Sequence, residues 1–286
     1  MCRLFGLSAD PHRVHARFWL LEAPDSLAEQ SRRNPDGTGL GFFDPDGEPV
    51  LDKQAIAAFE DAAFAREARH LSSTTFVSHV RWATTGVVAP ENTHPFAMAG
   101  RIMAHNGAIG DLPALEAELG DELRLVHGKT DSERIFALIT RETERNGGDV
   151  GAGITSAVGW IADNLPVFAV NIVLATPHEL WALRYPETHR LAVLEREAGG
   201  PHGYRPLHHS SDTLRVHAAE LKERPCVVVA SEHLDDSAGW RELDVGELLH
   251  VDADLNVTSR IAIERPPAHL LTRDQIAPAG DARAAH

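Results

Sequence analysis

The chain has 286 residues, 43% hydrophobic and 24% charged, and its 27 Lys and Arg against 42 Asp and Glu leave a formal net charge of -15. So acidic a balance lacks the clustered cations that nucleic acid requires, and no apolar run is long enough to cross a bilayer, so neither a nucleic-acid nor a membrane partner is expected. Two cysteines, Cys2 and Cys226, cannot build a disulfide framework or a four-cysteine zinc site, and the first residues carry no signal-peptide pattern, so a cytoplasmic protein is expected.

Short apolar runs and Gly-rich turns predict strands at residues 2–8, 39–43, 75–82 and 101–105. Apolar side chains recurring at three and four predict helices at 14–22 and 59–71. Thr130-Asp131-Ser132-Glu133 is a capping-box pattern, with Ile135, Phe136, Leu138 and Ile139 as the apolar face of the helix that follows. A second helix is expected at 154–164. After Pro166 the pattern turns to strands at 168–175, 179–184, 191–195, 214–217, 225–231 and 247–251. Cys226 opens the apolar run Cys-Val-Val-Val-Ala and reads as a core residue. One domain is expected over residues 2–264, with a flexible polar tail over 265–286. Strands, then helices, then strands suggest stacked layers, and neither a dinucleotide fingerprint nor a P-loop is present.

The residue that points to chemistry is Cys2. Removal of the initiator Met before a small residue leaves a thiol and a free α-amine on one residue. Their reference pKa values, about 8.5 and about 7.7–8.0, let the amine take the thiol proton near neutral pH. Alone, a Cys at position two proves nothing. Further stretches accompany it: Cys2-Arg3-Leu4-Phe5-Gly6, Asn34-Pro35-Asp36-Gly37-Thr38-Gly39-Leu40-Gly41, Ser78-His79-Val80-Arg81-Trp82-Ala83-Thr84-Thr85-Gly86, Asn92-Thr93-His94-Pro95-Phe96, Ala104-His105-Asn106-Gly107-Ala108-Ile109 and Gly128-Lys129-Thr130-Asp131-Ser132-Glu133. In this order they resemble the class II glutamine amidotransferases, the Ntn-type glutaminase found in glucosamine-6-phosphate synthase and amidophosphoribosyltransferase. A fainter echo follows in Val229-Ala230-Ser231-Glu232 and Asp244-Val245-Gly246-Glu247.

The resemblance implies an α+β fold, the four-layer αββα sandwich of Ntn hydrolases, with two packed antiparallel sheets, helices outside and Cys2 opening a central strand. It implies Cys2 as nucleophile, Asn106 and Gly107 as oxyanion donors, and Arg81, Trp82, Thr84 and Asp131 around the glutamyl substrate, with no cofactor and no metal. The chemistry suits these assignments. A tetrahedral oxyanion needs fixed donors, a guanidinium grips an α-carboxylate with two prongs, and an Asp can face an α-ammonium. The plainer readings are a tight turn for Asn106-Gly107, a helix-start charge for Asp131, a capping box for Glu133 and core histidines for His79, His94 and His105. Asn34 to Gly41 reads as a loop supporting the nucleophile. Thr85 departs from the His that many family members carry there, and His208-His209 fall in a stretch without a motif.

With no ammonia-using synthase unit in the sequence, stand-alone hydrolysis of a γ-amide through a γ-glutamyl thioester is the first expectation. The single-domain γ-glutamyl hydrolase of ergothioneine biosynthesis is the similar case. A glutaminase subunit passing ammonia to a separate synthase partner is the alternative, and a silent binding protein for a glutamyl metabolite or a partner protein the second. The loops that would meet the leaving amine carry no motif.

Overall fold

Side-chain alternation along each strand sorts residues to two faces, and both faces here are covered. A computed structural model describes residues 2–82, 89–197 and 224–276. Sheet I orders seven strands as Trp240–Glu242 (β11), Ala192–Arg196 (β9), Cys226–Ala230 (β10), Arg3–Ser8 (β1), Thr75–Val80 (β4), Thr38–Phe43 (β2) and Pro49–Gln54 (β3). Sheet II runs Val257–Ile261 (β13), Glu247–Val251 (β12), Leu180–Leu183 (β8), Pro166–Ala175 (β7), Arg101–Ile109 (β6) and Phe96–Met98 (β5). His269–Leu270 (β14) joins β7 in parallel, so sheet II is antiparallel except at that one pairing.

Three apolar cores fill the three spaces between four layers. In β1, Phe5 and Leu7 pack outward beneath the turn Phe18–Glu22 and the helices Leu27–Gln30 (α1) and Ala62–His70 (α2), while Leu4 faces the other sheet. β10 splits the same way, Cys226, Val228 and Ala230 outward and Val227 and Val229 inward. Beyond sheet II lie Leu112–Leu119 (α3), Asp131–Arg145 (α4) and Val150–Asn164 (α5), where Ile135, Phe136, Leu138 and Ile139 are fully buried. Each such side chain contributes roughly 1.5–3 kcal/mol by leaving water. The αββα sandwich expected from the sequence is the architecture observed.

Several elements differ from expectation, each for a local reason. The helix expected at 14–22 shrinks to the turn Phe18–Glu22, because Val14 pairs as an extended bridge with Ser73 instead. α2 starts only at Ala62, where the Asp61 carboxylate caps the N–H groups of Ala63 and Phe64. The strand ending at 105 continues as β6 through Asn106-Gly107, so no tight turn forms there. β3, β5, β11, β13, β14, α1 and α3 were not anticipated, and the strand expected at 214–217 lies outside the described residues. Within the stretch expected as a flexible tail, residues from 265 onward make contacts with the rest of the chain. Arg265 pairs with Asp163 (2.5 Å), Tyr185 donates to the Arg265 carbonyl (3.1 Å), and the Ala268 N–H donates to the Ala162 carbonyl (2.8 Å) before β14 forms.

Polar side chains interrupt the layer between the sheets, His79 among them. His79 on β4 is fully buried beside His94, ring centroids 4.2 Å apart, and neither ring has a hydrogen-bond partner among the described residues. Burial first, then His105 and Arg81, push the His79 pKa down to about 3. A depressed imidazole contributes its full stability above the unfolded pKa of about 6.5 and loses it progressively as pH falls toward 3. We therefore expect His79→Gln to reduce the loss of unfolding free energy between pH 7 and pH 5 by roughly 2 kcal/mol, measured by denaturant titration. Equal losses in variant and wild type contradict the buried neutral histidine.

Candidate active site

The register of sheet I decides where Cys2 lies. β1 pairs Arg3 with Val80 of β4, so one further step sets Cys2 beside Arg81 and Trp82. The Trp82 N–H donates to Sγ (3.3 Å) and the thiol donates to the Trp82 carbonyl (3.4 Å), so the peptide backbone there fixes the sulfur. The Cys2 carbonyl accepts from Asn106 Nδ2 (3.0 Å) and from the Arg3 guanidinium (3.3 Å). Arg3 is in turn paired with Glu232, which also meets Arg33 at 3.5 Å. Ser231 exchanges two bonds with Leu4, accepting its N–H at 3.0 Å and donating to its carbonyl at 3.1 Å. The faint Ser231-Glu232 echo in the sequence thus seats the head of β1.

Sheet II supplies the facing groups. Asn106 follows Ile102 and Ala104 on the inner face of β6 and reaches across to Cys2. Gly107 runs so close to β7 that a Cβ there would lie 1.8 Å from the Ala169 carbonyl oxygen, which only glycine permits. The pairing then slips between Ala108 and Ile109, a bulge. Past it, the Ile109 N–H donates to Asp131 Oδ2 (3.1 Å) rather than to a strand neighbour. Oδ1 of Asp131 accepts from the Ser132 N–H (2.8 Å). A carboxylate has about four acceptor positions, so capacity is left for a ligand.

Cys2, Arg81, Trp82, Gly107 and Asp131 line one cavity of about 320 Å³, within the usual range for small-molecule sites. Burial pushes the Cys2 thiol above its ordinary pKa, while the Trp82 N–H, Arg81 and Arg3 pull the other way without prevailing. Burial thus favours the thiol over the thiolate. Cys226, buried in the core, is pushed up to about 11 and has no polar setting of this kind. His105 also lines the cavity, held neutral by burial, with Nε2 on the Ala169 carbonyl (3.2 Å) and Nδ1 on the Ser132 hydroxyl (2.9 Å).

Most residues picked from the sequence converge. Thr84 and Thr85 lie outside the described residues. Of the stretch expected as a loop from Asn34 to Gly41, Thr38 onward lies in β2, and the residues before it clamp the backbone of Arg81, which donates to the Gly37 carbonyl (2.8 Å) and accepts from the Asp36 N–H (3.1 Å). Glu133 does more than cap. Thr130 Oγ1 accepts its N–H (3.2 Å), but its buried carboxylate takes the N–H groups of His127 (3.0 Å) and Gly128 (2.5 Å), ordering the loop that leads to Asp131. Leu112, Leu271, Gln275 and Ile276, which carried no signal in the sequence, also line the cavity, as does Lys129 of the motif before α4. Among the described residues, no group of three or more His, Cys, Asp or Glu could hold a metal ion, and no helix is long and apolar enough to cross a membrane.

Comparison with known proteins places this geometry in a family. The sequence pattern of the class-II glutamine amidotransferases matches residues 1–271. The gamma-glutamyl-hercynylcysteine sulfoxide hydrolase of Mycolicibacterium smegmatis is 29% identical over 252 residues, 84% of this chain and 92% of that protein. The glutamine–fructose-6-phosphate aminotransferase of Bradyrhizobium diazoefficiens is 28% identical over 161 residues, 56% of this chain but only 23% of the aminotransferase. In fold, the chain resembles the glutamine phosphoribosylpyrophosphate amidotransferase of B. subtilis, with TM-score 0.64 and 19% identity over 93% of this chain and 50% of that one. With its two packed sheets, outer helices and Cys2 at the head of a central strand, the chain belongs to the class-II glutamine amidotransferases, enzymes of the Ntn-hydrolase fold that act on a glutamine amide.

Proposed function

We propose that this chain is a cysteine-dependent hydrolase that cleaves the γ-amide of glutamine or of a γ-glutamyl compound through a thioester on Cys2. The observation that carries the reading is that Cys2 opens into the same cavity as a guanidinium, Arg81, and a carboxylate, Asp131. These are the two charges a glutamyl α-carboxylate and α-ammonium call for. Once Met1 is removed, the free α-amine of Cys2 takes the thiol proton as Sγ attacks the γ-carbonyl carbon. Asn106 spends one side-chain N–H on the Cys2 carbonyl, and its second, with Gly107, is the donor for the oxyanion. Collapse of the tetrahedral intermediate breaks the C–N bond, and the proton held by the α-amine leaves with the amine. Water, deprotonated by the same α-amine, then attacks the γ-glutamyl thioester, releasing glutamate and returning the thiol.

The near end-to-end match to a hydrolase supports hydrolysis without a partner. The match to part of an aminotransferase favours a second reading, a glutaminase that hands ammonia to a separate synthase. The isolated chain is expected to release glutamate steadily with nothing added. Negligible turnover that rises sharply when a synthase is supplied selects the second reading.

Substitutions separate the roles. Arg81 and Asp131 hold the substrate before and during the chemical step, so Arg81→Lys and Asp131→Asn are expected chiefly to raise KM. Asn106 meets charge that develops only in the transition state, so Asn106→Ala is expected to lower kcat by about 10²–10³-fold. Steady-state kinetics of the three variants decide this. An Asn106→Ala enzyme with wild-type kcat removes Asn106 from the oxyanion site.

A further inference from the structure

Sheet II carries a second cleft, of about 470 Å³, which shares no lining residue with the cavity of Cys2. The strand register builds its floor. β8 and β12 set Trp181 beside His250, and β12 and β13 set Leu248 beside Arg260 in the next row. Trp181 and Leu248 pack in the core beneath the outer helices, so both rows point away from the other sheet.

Two ring nitrogens reach this cleft without a hydrogen-bond partner among the described residues. The Trp181 and His250 rings stack 4.7 Å apart, and both line the cleft. Trp181 is only 5% exposed, yet its indole N–H has no acceptor. A Cβ at Gly151 would lie 3.7 Å from Trp181 Nε1, which puts that N–H at the first turn of α5. His250 Nε2 is buried too, 3.6 Å from Glu179 Oε1 and without a hydrogen bond. A buried donor with no acceptor is costly, so this floor suits a ligand that brings one.

The rim carries both signs of charge. Val150 and Gly151 open α5, so their N–H groups have no intrahelical acceptor, and the Asp149 side chain takes the N–H of Ala152 instead (2.9 Å). Arg260 Nη2 donates to Thr155 Oγ1 (2.9 Å), which donates to the Gly151 carbonyl (2.8 Å), so the guanidinium is held beside the same helix end. The carboxylates of Asp149 and Glu179 stand on the same lining. A bare anion would meet those two carboxylates, and a bare cation would meet the guanidinium and the positive end of the helix. A molecule bearing both charges suits both. We propose that this cleft is a second binding site, for a small α-amino acid bound as its zwitterion. Its carboxylate lies on the α5 N-terminus, Trp181 Nε1–H and Arg260, and its ammonium faces Asp149 and Glu179. The site is independent of the chemistry at Cys2.

The test follows the indole N–H resonances of isotope-labelled protein during titration with L-alanine. The chain has five Trp; Trp181→Phe identifies the resonance of the cleft and Trp82→Phe that of the Cys2 cavity. Alanine is expected to shift the Trp181 resonance saturably. Acetate and ethylammonium, which carry one charge each, are expected to leave it in place at the same concentrations. Arg260→Ala and Glu179→Gln are each expected to weaken alanine binding by about tenfold, the scale of one hydrogen bond to a charged group. The other indole resonances report whether each variant is folded. No saturable shift at Trp181, a shift at Trp82 alone, an equal response to acetate or ethylammonium, or unchanged affinity in either variant overturns the site.

Discussion

The anchoring of β1 between β4 and β10 is the constraint on which the site depends. A residue at the start of a strand has the sheet on one side of it and little on the other, so its sulfur stays in place only if neighbouring strands grip it. Here the β1–β4 register carries Cys2 to the Trp82 backbone, and Asn106 reaches from the opposite sheet to the Cys2 carbonyl. Arg3, Glu232 and Ser231 hold the strand head from the β10 side. A slip of one residue in that register would turn the inner and outer faces of β1 around and carry the thiol away from Arg81 and Asp131. The two sheets therefore do more than bury a core, since both contribute contacts around one residue.

The same burial sets the electrostatics. Placed between two sheets, the Cys2 thiol is pushed up, and the histidines around it are held neutral. In the proposed chemistry the α-amine of Cys2 is the base. Neutral imidazoles at His79, His94 and His105 also avoid placing further positive charge near Arg81. The cavity thus sets the Arg81 guanidinium and the Asp131 carboxylate together, with Lys129 also on its lining.

Much of this was legible in the residues, and the boundary of what was not is physical. Local motifs were readable because their chemistry is local. Thr130 caps α4 as its spacing implies, and the apolar face beginning at Ile135 is the one buried. Asn106-Gly107 could be read as a turn or as a donor pair, and only its place inside β6 settles against the turn. Pairings between distant segments were hidden. β14 is two residues long and joins β7 in parallel, so no period betrays it, and a stretch of Pro, Ala and polar residues looked like a tail. For the same reason Leu271, Gln275 and Ile276 could not be connected with Cys2. The Ser231-Glu232 echo was visible as a pattern, but its work of seating β1 needed the partner strand.

The most direct test of the account is intact-protein and peptide mass spectrometry after treating active enzyme with a glutamine analogue that bears an electrophilic ketone. The account predicts a chain that lacks Met1, carries one equivalent of the analogue on Cys2 and has lost its amide hydrolysis. Labelling at Cys226 instead, or full activity in a chain that keeps Met1, would contradict it.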